Sequence, residues 1–159
     1  MKFNILHFLS ILLLFSCKTQ KTEIEFSVLN PYCGGAKPTE EMEKEAQTLK
    51  PYANKKVYYK SDNGETGVIE TDENGRGKLK VKDGKYYFYE EWRYNKKTPN
   101  DLPAEQFDEI CLKAEWNVPH ASAEAKGGKL TFITNDPFTN YCEHQYPCVK
   151  GEHLPPMRE

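Results

Sequence analysis

The chain has 159 residues and a formal net charge of −2, with 22 basic and 24 acidic side chains interspersed along it. This length is enough for one domain with its own hydrophobic core, and the near-neutral charge excludes nucleic acid as an electrostatically held partner. Ten Tyr and eight Phe favour pleated, half-buried surfaces, while ten Gly and ten Pro supply turns. The composition therefore predicts a mainly β fold of short strands.

An apolar run from Ile5 to Phe15 opens the chain, preceded by Lys2 and followed by Ser16 and Cys17. A basic start, about ten apolar residues and a small residue at the end are the pattern of a secretory signal. The run is too short to cross a bilayer as a helix, which takes about 20 apolar residues. We therefore predict a signal peptide over residues 1–16 that is removed by cleavage.

The end of this leader, Leu14-Phe15-Ser16-Cys17, resembles the lipobox of bacterial lipoproteins. The resemblance implies that the thiol of Cys17 is acylated and that cleavage frees its amine for a further acyl chain. Two or three chains attach a protein firmly, since each buried methylene contributes about 0.8 kcal/mol. Lys18 directly after the Cys favours, by the same resemblance, the outer membrane of the cell envelope. The alternative is an ordinary cleaved signal in which Cys17 has no role.

The segment after Cys17 begins with polar residues, Lys18 to Glu23, that include no aromatic side chain. Such a composition is typical of a flexible tether between a membrane and a domain. We assign residues 17–30 to the lipidated Cys and this tether, which leaves residues 31–159 for the folded domain.

A short helix is predicted over residues 40–49, close to the start of that domain. Thr39 is a favourable N-cap residue, acidic residues fill the first turns, and Pro51 ends the helix. Its apolar residues form one narrow stripe, Met42, Ala46 and Leu49. We expect the helix to lie on the rim of a sheet.

From Lys55 onward apolar and polar residues alternate, which indicates strands separated by turns rich in Asp, Asn and Gly. Asp83-Gly84 is a strong signal for a two-residue hairpin turn. This turn would set Val81 opposite Tyr86 and Leu79 opposite Phe88 on a buried face, with Lys78, Lys80, Tyr87 and Tyr89 on a solvated face. The predicted strands are Lys56–Lys60, Gly67–Thr71, Gly77–Lys82 and Lys85–Tyr89.

Beyond a Lys-rich loop over residues 94–103, a further half-buried strand is predicted over residues 110–116, where apolar and polar residues alternate. A hairpin is predicted from residues 121–125 and 130–134, on either side of a Gly-containing turn. His120 is expected in a surface loop, and the tail from Asn135 onward is expected to be held by cysteines.

Four cysteines remain beyond Cys17: Cys33, Cys111, Cys142 and Cys148. An even number in an oxidising compartment favours two disulfides. Cys142 and Cys148 could close on each other, or each could tie the terminal segment to a distant cysteine. We favour the second scheme, because it pins both ends of the domain.

The stretch from Lys55 to Tyr89 resembles the carboxypeptidase regulatory-like and transthyretin-like (prealbumin-like) β-sandwich superfamily. Gly67-Val68, the turn Thr71–Arg76, and the strand, Gly turn and aromatic of Leu79–Tyr86 carry the resemblance. It implies a prealbumin-like antiparallel β-sandwich, here with one short N-terminal helix and a disulfide-tied C-terminal tail. Such domains are usually accessory modules of envelope proteins, so the resemblance implies no catalytic site.

The sequence also lacks the motifs of a catalytic site: it contains no nucleophile elbow, phosphate-binding loop or dinucleotide fingerprint. We therefore predict no enzyme activity and no cofactor. Zinc would suit the thiol and imidazole groups near the end, but an oxidising compartment favours disulfides, and we predict no metal site. The residues considered for zinc are Cys142, Glu143, His144, Cys148 and His153.

Aromatic residues of one stretch, Tyr87, Tyr89, Trp92 and Tyr94, could form an exposed platform for a sugar or a peptide. Such rings more often belong to a core, so this is the second of two hypotheses. The first is a lipid-anchored envelope protein that acts as a non-catalytic structural or interaction module. Its partners would be the membrane, through acyl chains on Cys17, and envelope proteins or glycans.

Overall fold

Strands dominate the part of the chain that the computed structural model describes, residues 21–142 and 145–151. The predicted mainly β class is confirmed. In these residues the strands are β1 (Lys21–Glu25), β2 (Ser27–Leu29), β3 (Lys50–Pro51), β4 (Lys56–Ser61), β5 (Thr66–Glu70), β6 (Arg76–Lys80), β7 (Gly84–Tyr89), β8 (Ala121–Lys126), β9 (Lys129–Asn135) and β10 (Phe138–Thr139). The α-helices are α1 (Glu40–Ala46), α2 (Glu91–Tyr94) and α3 (Glu109–Glu115), and short 3₁₀ turns lie at Pro99–Asp101 and Ala104–Gln106.

The strands form two layers in a β-sandwich-like arrangement. One layer is an antiparallel sheet of five strands in the order β5-β4-β7-β8-β9. In the other layer β1 pairs with β6, and β2 lies between β3 and β10. Phe26 joins β1 to β2: its N–H donates to Gly75 O at 2.9 Å, and its carbonyl accepts from Tyr52 N at 2.9 Å.

The core between the layers follows from the alternation along the strands. Inward-facing residues from both layers form one cluster, in which Phe26 contacts Phe88 edge-on at 5.5 Å between ring centroids. In the register of β7 and β8, Ala123 lies beside Tyr86 and Ala121 beside Phe88, so small residues neighbour the large rings. Burying each large side chain contributes about 1.5–3 kcal/mol.

The predicted hairpin at Asp83-Gly84 is wrong, although its buried residues are correct. β6 pairs with β1, while β7 pairs with β4 and β8, so the turn carries the chain from one layer to the other. The Lys82 N–H donates to the Tyr86 hydroxyl at 2.9 Å, which replaces the expected bond between strands. Alternation reports which face of a strand is buried, but it does not report the neighbouring strand.

The tether predicted for residues 17–30 is wrong from Lys21 onward. β1 and β2 belong to the sandwich, and Ile24, Phe26 and Val28 are buried in its core. The folded part therefore includes residues before 31. The predicted signal peptide and Cys17 lie outside the residues that the structure describes.

One predicted helix is shorter than expected, and one predicted strand is a helix. α1 begins after Thr39, whose hydroxyl accepts the Met42 N–H at 3.3 Å, but it ends at Ala46 and buries none of its residues. Residues 110–116 are not a strand, because Asp108 caps α3 by accepting the Cys111 N–H at 2.8 Å. In a helix Leu112 and Trp116 share one face, and Ile110 points away with 82% of its surface exposed.

The remaining strand predictions are confirmed. β4, β5 and the hairpin of β8 and β9 lie where the alternation indicated them. Together with β7 they form the five-stranded sheet.

Candidate functional site

Between β7 and β8 the chain leaves the sandwich and builds a small cap, defined here as residues 91–117 together with 145–150. Trp92, Phe107 and Leu112 are buried in its centre. The C-terminal part is attached by backbone hydrogen bonds, from Asp108 N to Cys148 O at 2.8 Å and from Lys150 N to Gln106 O at 2.8 Å. The cap therefore combines two parts of the chain that are distant in sequence.

Two disulfides hold the C-terminal segment in place, Cys33–Cys142 and Cys111–Cys148. They span 109 and 37 residues of sequence, so the favoured scheme, in which each terminal cysteine bonds to a distant one, is confirmed. The first bond ties the segment to the loop before α1, and the second ties it to α3.

A polar cleft of about 610 Å³ lies where the cap meets the sandwich. Its floor and walls include Glu90, which directly follows β7, and three tyrosines, Tyr52, Tyr141 and Tyr146. Tyr141 precedes Cys142 in sequence and Tyr146 lies two residues before Cys148, so each stands close to a disulfide. These covalent links fix the side of the cleft that the tail supplies.

Glu90 is the buried carboxylate of this cleft. Trp92 Nε1–H donates to its Oε2 at 3.0 Å, and Arg93 Nε lies 3.7 Å from the same oxygen. Oε1 has no hydrogen-bond partner among the described residues. Burial raises the pKa of Glu90, although Arg93 and the bond from Trp92 act in the opposite direction.

Arg93 links Glu90 to the rest of the cap. Its guanidinium lies 2.7 Å from Glu115 Oε2 and donates to Val118 O at 3.1 Å, while its side chain is only 8% exposed. One buried cation therefore serves two carboxylates, Glu90 and Glu115. Removing Arg93 would leave both carboxylates without their cation, which costs several kcal/mol.

The three tyrosines lie close enough to Glu90 to respond to its charge. Burial is the main cause that raises the pKa of each phenol, and the negative charge of Glu90 is the second. The rings of Tyr141 and Tyr146 are 5.3 Å apart, and Tyr146 makes a hydrogen bond with Asn100. The cleft thus gathers aromatic rings and phenol groups around one carboxylate.

Tyr52 is held by a stack of three rings. Its ring lies on Phe138 at 4.1 Å, and His120 lies on the opposite face of Phe138 at 4.0 Å, with all three nearly parallel. His120 was expected in a surface loop, but it is largely covered, and its Nε2 is buried without a hydrogen-bond partner in the described part of the chain. Burial lowers its pKa.

Three of the four aromatics of the predicted platform, Tyr87, Tyr89 and Tyr94, lie on the same side of the five-stranded sheet, and Trp92 lies apart from them. Tyr89, which was expected on a solvated face, is buried. Tyr89 packs against Tyr94, and the Lys60 ammonium lies 5.1 and 4.9 Å from the centres of these two rings. Trp92 instead is buried in the cap and reaches the cleft. Tyr87 is half-buried on β7, opposite Lys60 and Ser122 in the adjacent strands.

A larger groove of about 950 Å³ adjoins the cleft, with which it shares Lys97, Thr98 and Asp101, and its other residues include Phe107 and Trp116. We favour the smaller cleft as the candidate site, because it contains a largely buried carboxylate with an available oxygen. A titratable group with a perturbed pKa in a concave site is a candidate functional group.

The residues considered for zinc are only partly described. Cys142 and Cys148 are bonded in two different disulfides, so their thiolates are not available. Glu143, His144 and His153 lie outside the described residues. Within residues 21–142 and 145–151 no group of three or more His, Cys, Asp or Glu side chains is arranged to hold a metal ion.

Comparison with known proteins adds no relative: no family model, no curated protein and no solved structure matches the chain. In the described part of the chain no helix has both the length and the apolar character needed to cross a bilayer.

Sequence reasoning did not single out Glu90 or the three tyrosines of the cleft. Tyr52 is far in sequence from Tyr141 and Tyr146, and only the fold and the disulfides bring it close to them. One signal was present, because a tyrosine stands next to Cys142 and another stands near Cys148. A residue beside a bonded cysteine is held rigidly, and this favours a role in a preformed site.

Proposed function

We propose that the protein is a lipid-anchored module of the cell envelope that binds a small polar ligand or the end of a peptide in the Glu90 cleft, without transforming it. The cleft carries this proposal: a largely buried carboxylate and three phenols line it, and two disulfides hold the segment that carries Tyr141 and Tyr146. Rigid aromatic walls lose little conformational entropy on binding, which favours recognition.

The proposed location rests on the leader that ends at Cys17. Acylation there would fix the domain to a membrane, and an oxidising compartment agrees with the two disulfides of the described part. The polar residues that separate Cys17 from β1 are few, so the sandwich would lie close to the membrane surface.

We also propose that the sandwich is prealbumin-like. The antiparallel strands β4, β5 and β7 and the Asp-Gly turns between residues 61 and 84 support this assignment. An experimental structure with a different strand order in the five-stranded sheet would refute it.

The anchor is tested on protein from its native host. We expect mass spectrometry to find an N-terminal Cys17 carrying acyl chains, and the protein to fractionate with membranes. A Cys17→Ser variant should lose the acyl mass and leave the membrane fraction, whereas Ser16→Ala, which keeps a small residue before Cys17, should behave as the wild type. An intact, unacylated N-terminus would refute the anchor.

The binding site is tested by NMR titration of the full chain in detergent micelles with short peptides and oligosaccharides. We expect a ligand to shift the indole signal of Trp92, whose N–H bonds to Glu90. The backbone amide signals of β9, none of whose residues lines the cleft, serve as an internal control. Shifts confined to Trp116 or to the outer face of the five-stranded sheet would refute the cleft as the site.

A further inference from the structure

The cleft has a charge pattern that specifies its ligand more closely. Glu90 and Glu115 share Arg93, so this buried group carries one negative charge in excess when both carboxylates are ionised. Lys55 and Lys56 are exposed at the same cleft and make no ion pair with the described residues. The charged side chains of the lining are three basic and three acidic ones, of which only that of Glu90 is largely buried: Lys55, Lys56, Lys97, Glu90, Glu91 and Asp101.

The second carboxylate oxygen of Glu90 is free to accept a hydrogen bond from a ligand. Oε2 already receives the Trp92 indole, whereas Oε1 has no partner among the described residues. A neutral hydroxyl could donate to Oε1, but it would leave the excess negative charge uncompensated. A charged donor makes a stronger hydrogen bond to a carboxylate and cancels that charge.

The surrounding rings favour the same type of donor. Tyr52, Tyr141 and Tyr146 line the same cleft as Glu90. The faces of Tyr and Trp rings attract cations, and this attraction grows where water is excluded. A carboxylate among aromatic side chains is thus suited to an ammonium group.

We propose that the cleft binds the primary ammonium group of its ligand, as at the amino terminus of a peptide, with Glu90 as the counter-ion. The carbonyl or carboxylate groups that follow the amine would point towards Lys55 and Lys56 at the rim. This inference rests on the proposed binding function of the cleft and names the ligand class.

The test compares three probes on the full chain with oxidised disulfides in detergent micelles. Glycyl-glycine amide has a free ammonium group, its N-acetylated form lacks that charge, and a neutral disaccharide supplies hydroxyl groups alone. We expect the free amine to shift the indole signal of Trp92 and the N-acetylated peptide to bind at least tenfold more weakly. Added salt should weaken binding of the free amine, because the contact is between charges.

Matched variants identify the carboxylate. Glu90→Gln keeps the shape and an acceptor for Trp92 but removes the charge, and it should raise the Kd of the free amine at least tenfold. Glu124→Gln removes an exposed charge on β8, outside the lining of the cleft, and it should change the Kd less than twofold. An unchanged amide fingerprint outside the cleft verifies that both variants fold.

The outcomes distinguish failure of the ammonium inference from failure of the proposed binding function. Equal binding of both peptides, or binding that survives Glu90→Gln, would overturn the ammonium assignment and leave the cleft as a binding site. Binding of the disaccharide alone would do the same. If none of the three probes shifts a cleft signal, the ammonium inference fails, and the proposed function must rest on the wider titration with peptides and oligosaccharides.

Discussion

The hydrophobic core of the sandwich contains thirteen buried described residues in one cluster, whereas that of the cap contains three, Trp92, Phe107 and Leu112. The cap makes up for its small core with the Cys111–Cys148 disulfide and with the ion pairs of Arg93. The sandwich gains its stability mainly from the burial of apolar side chains, which is a non-directional effect. The cap depends more on a few specific interactions, namely one disulfide and the ion pairs of Arg93. The candidate site lies where these two kinds of structure meet.

The largest expected effect comes from the sandwich core. Phe88→Ala removes a fully buried ring that contacts Phe26 and Phe132, and it should lower the free energy of unfolding by about 3–5 kcal/mol. Urea denaturation followed by circular dichroism measures the loss.

Leu112→Ala in the cap should raise hydrogen exchange in the cap, with little change in the five-stranded sheet. Equal exchange in both regions would show that they unfold as one unit.

The second prediction concerns the Cys111–Cys148 disulfide, which should stabilise the cap and not the sandwich. Replacing Cys111 and Cys148 together by Ser removes a bond that closes 37 residues of sequence, which is worth roughly 3–4 kcal/mol in the chain-entropy model. We expect the amides of α3 and of residues 145–150 to lose protection while the strands keep theirs. Hydrogen exchange with mass analysis tests this expectation, and loss of protection in β7 and β8 would contradict it.

The third prediction concerns Glu90, whose pKa is raised chiefly by burial. With a folded pKa above the unfolded one, the contribution of Glu90 to stability is full at acidic pH and is lost as the pH rises through the folded pKa. Glu90→Gln removes this penalty, so it should stabilise the protein by about 1 kcal/mol at pH 8 and less at pH 5. Chemical denaturation at both pH values measures the difference.

The exposed Glu91→Gln is the control for this gain, because it should leave the stability unchanged at both pH values. A lower stability of Glu90→Gln at pH 8 would mean that the pair with Arg93 outweighs the cost of burial. A more stable variant that binds less well would fit the usual exchange of stability for function at a site.

The smallest predicted effect comes from His120, whose pKa is lowered first by burial and also by Arg93, while Asp136 and backbone bonds to residues 136 and 137 oppose this. The folded protein then binds fewer protons than the unfolded chain as the pH falls below about 6.5. Stability should therefore decrease from about pH 6.5 towards the folded pKa, by no more than about 1.4 kcal/mol per pH unit. His120→Phe keeps a ring on Phe138 and should flatten that slope, and an unchanged slope would exclude His120 as its source.

The sequence predicted most of the five-stranded sheet, because alternation within a strand is a local property. It did not predict that β6 leaves β7 and pairs with β1, because the choice of a partner strand depends on the whole chain. It also failed for α3, where the cap formed by Asp108 outweighs a short run of alternating residues. The cleft could not be predicted, because Glu90 and its three tyrosines meet only after the layers and disulfides have formed.

The position of the two disulfides has a consequence for the redox behaviour of the protein. Tyr141 and Tyr146 belong to a segment anchored at Cys142 and at Cys148, so reduction would release a wall of the cleft. By thermodynamic linkage, a ligand that prefers the oxidised wall must in turn protect both bonds against reduction, by the same free energy. Ligand binding in the cleft and reduction of the two disulfides are therefore thermodynamically coupled.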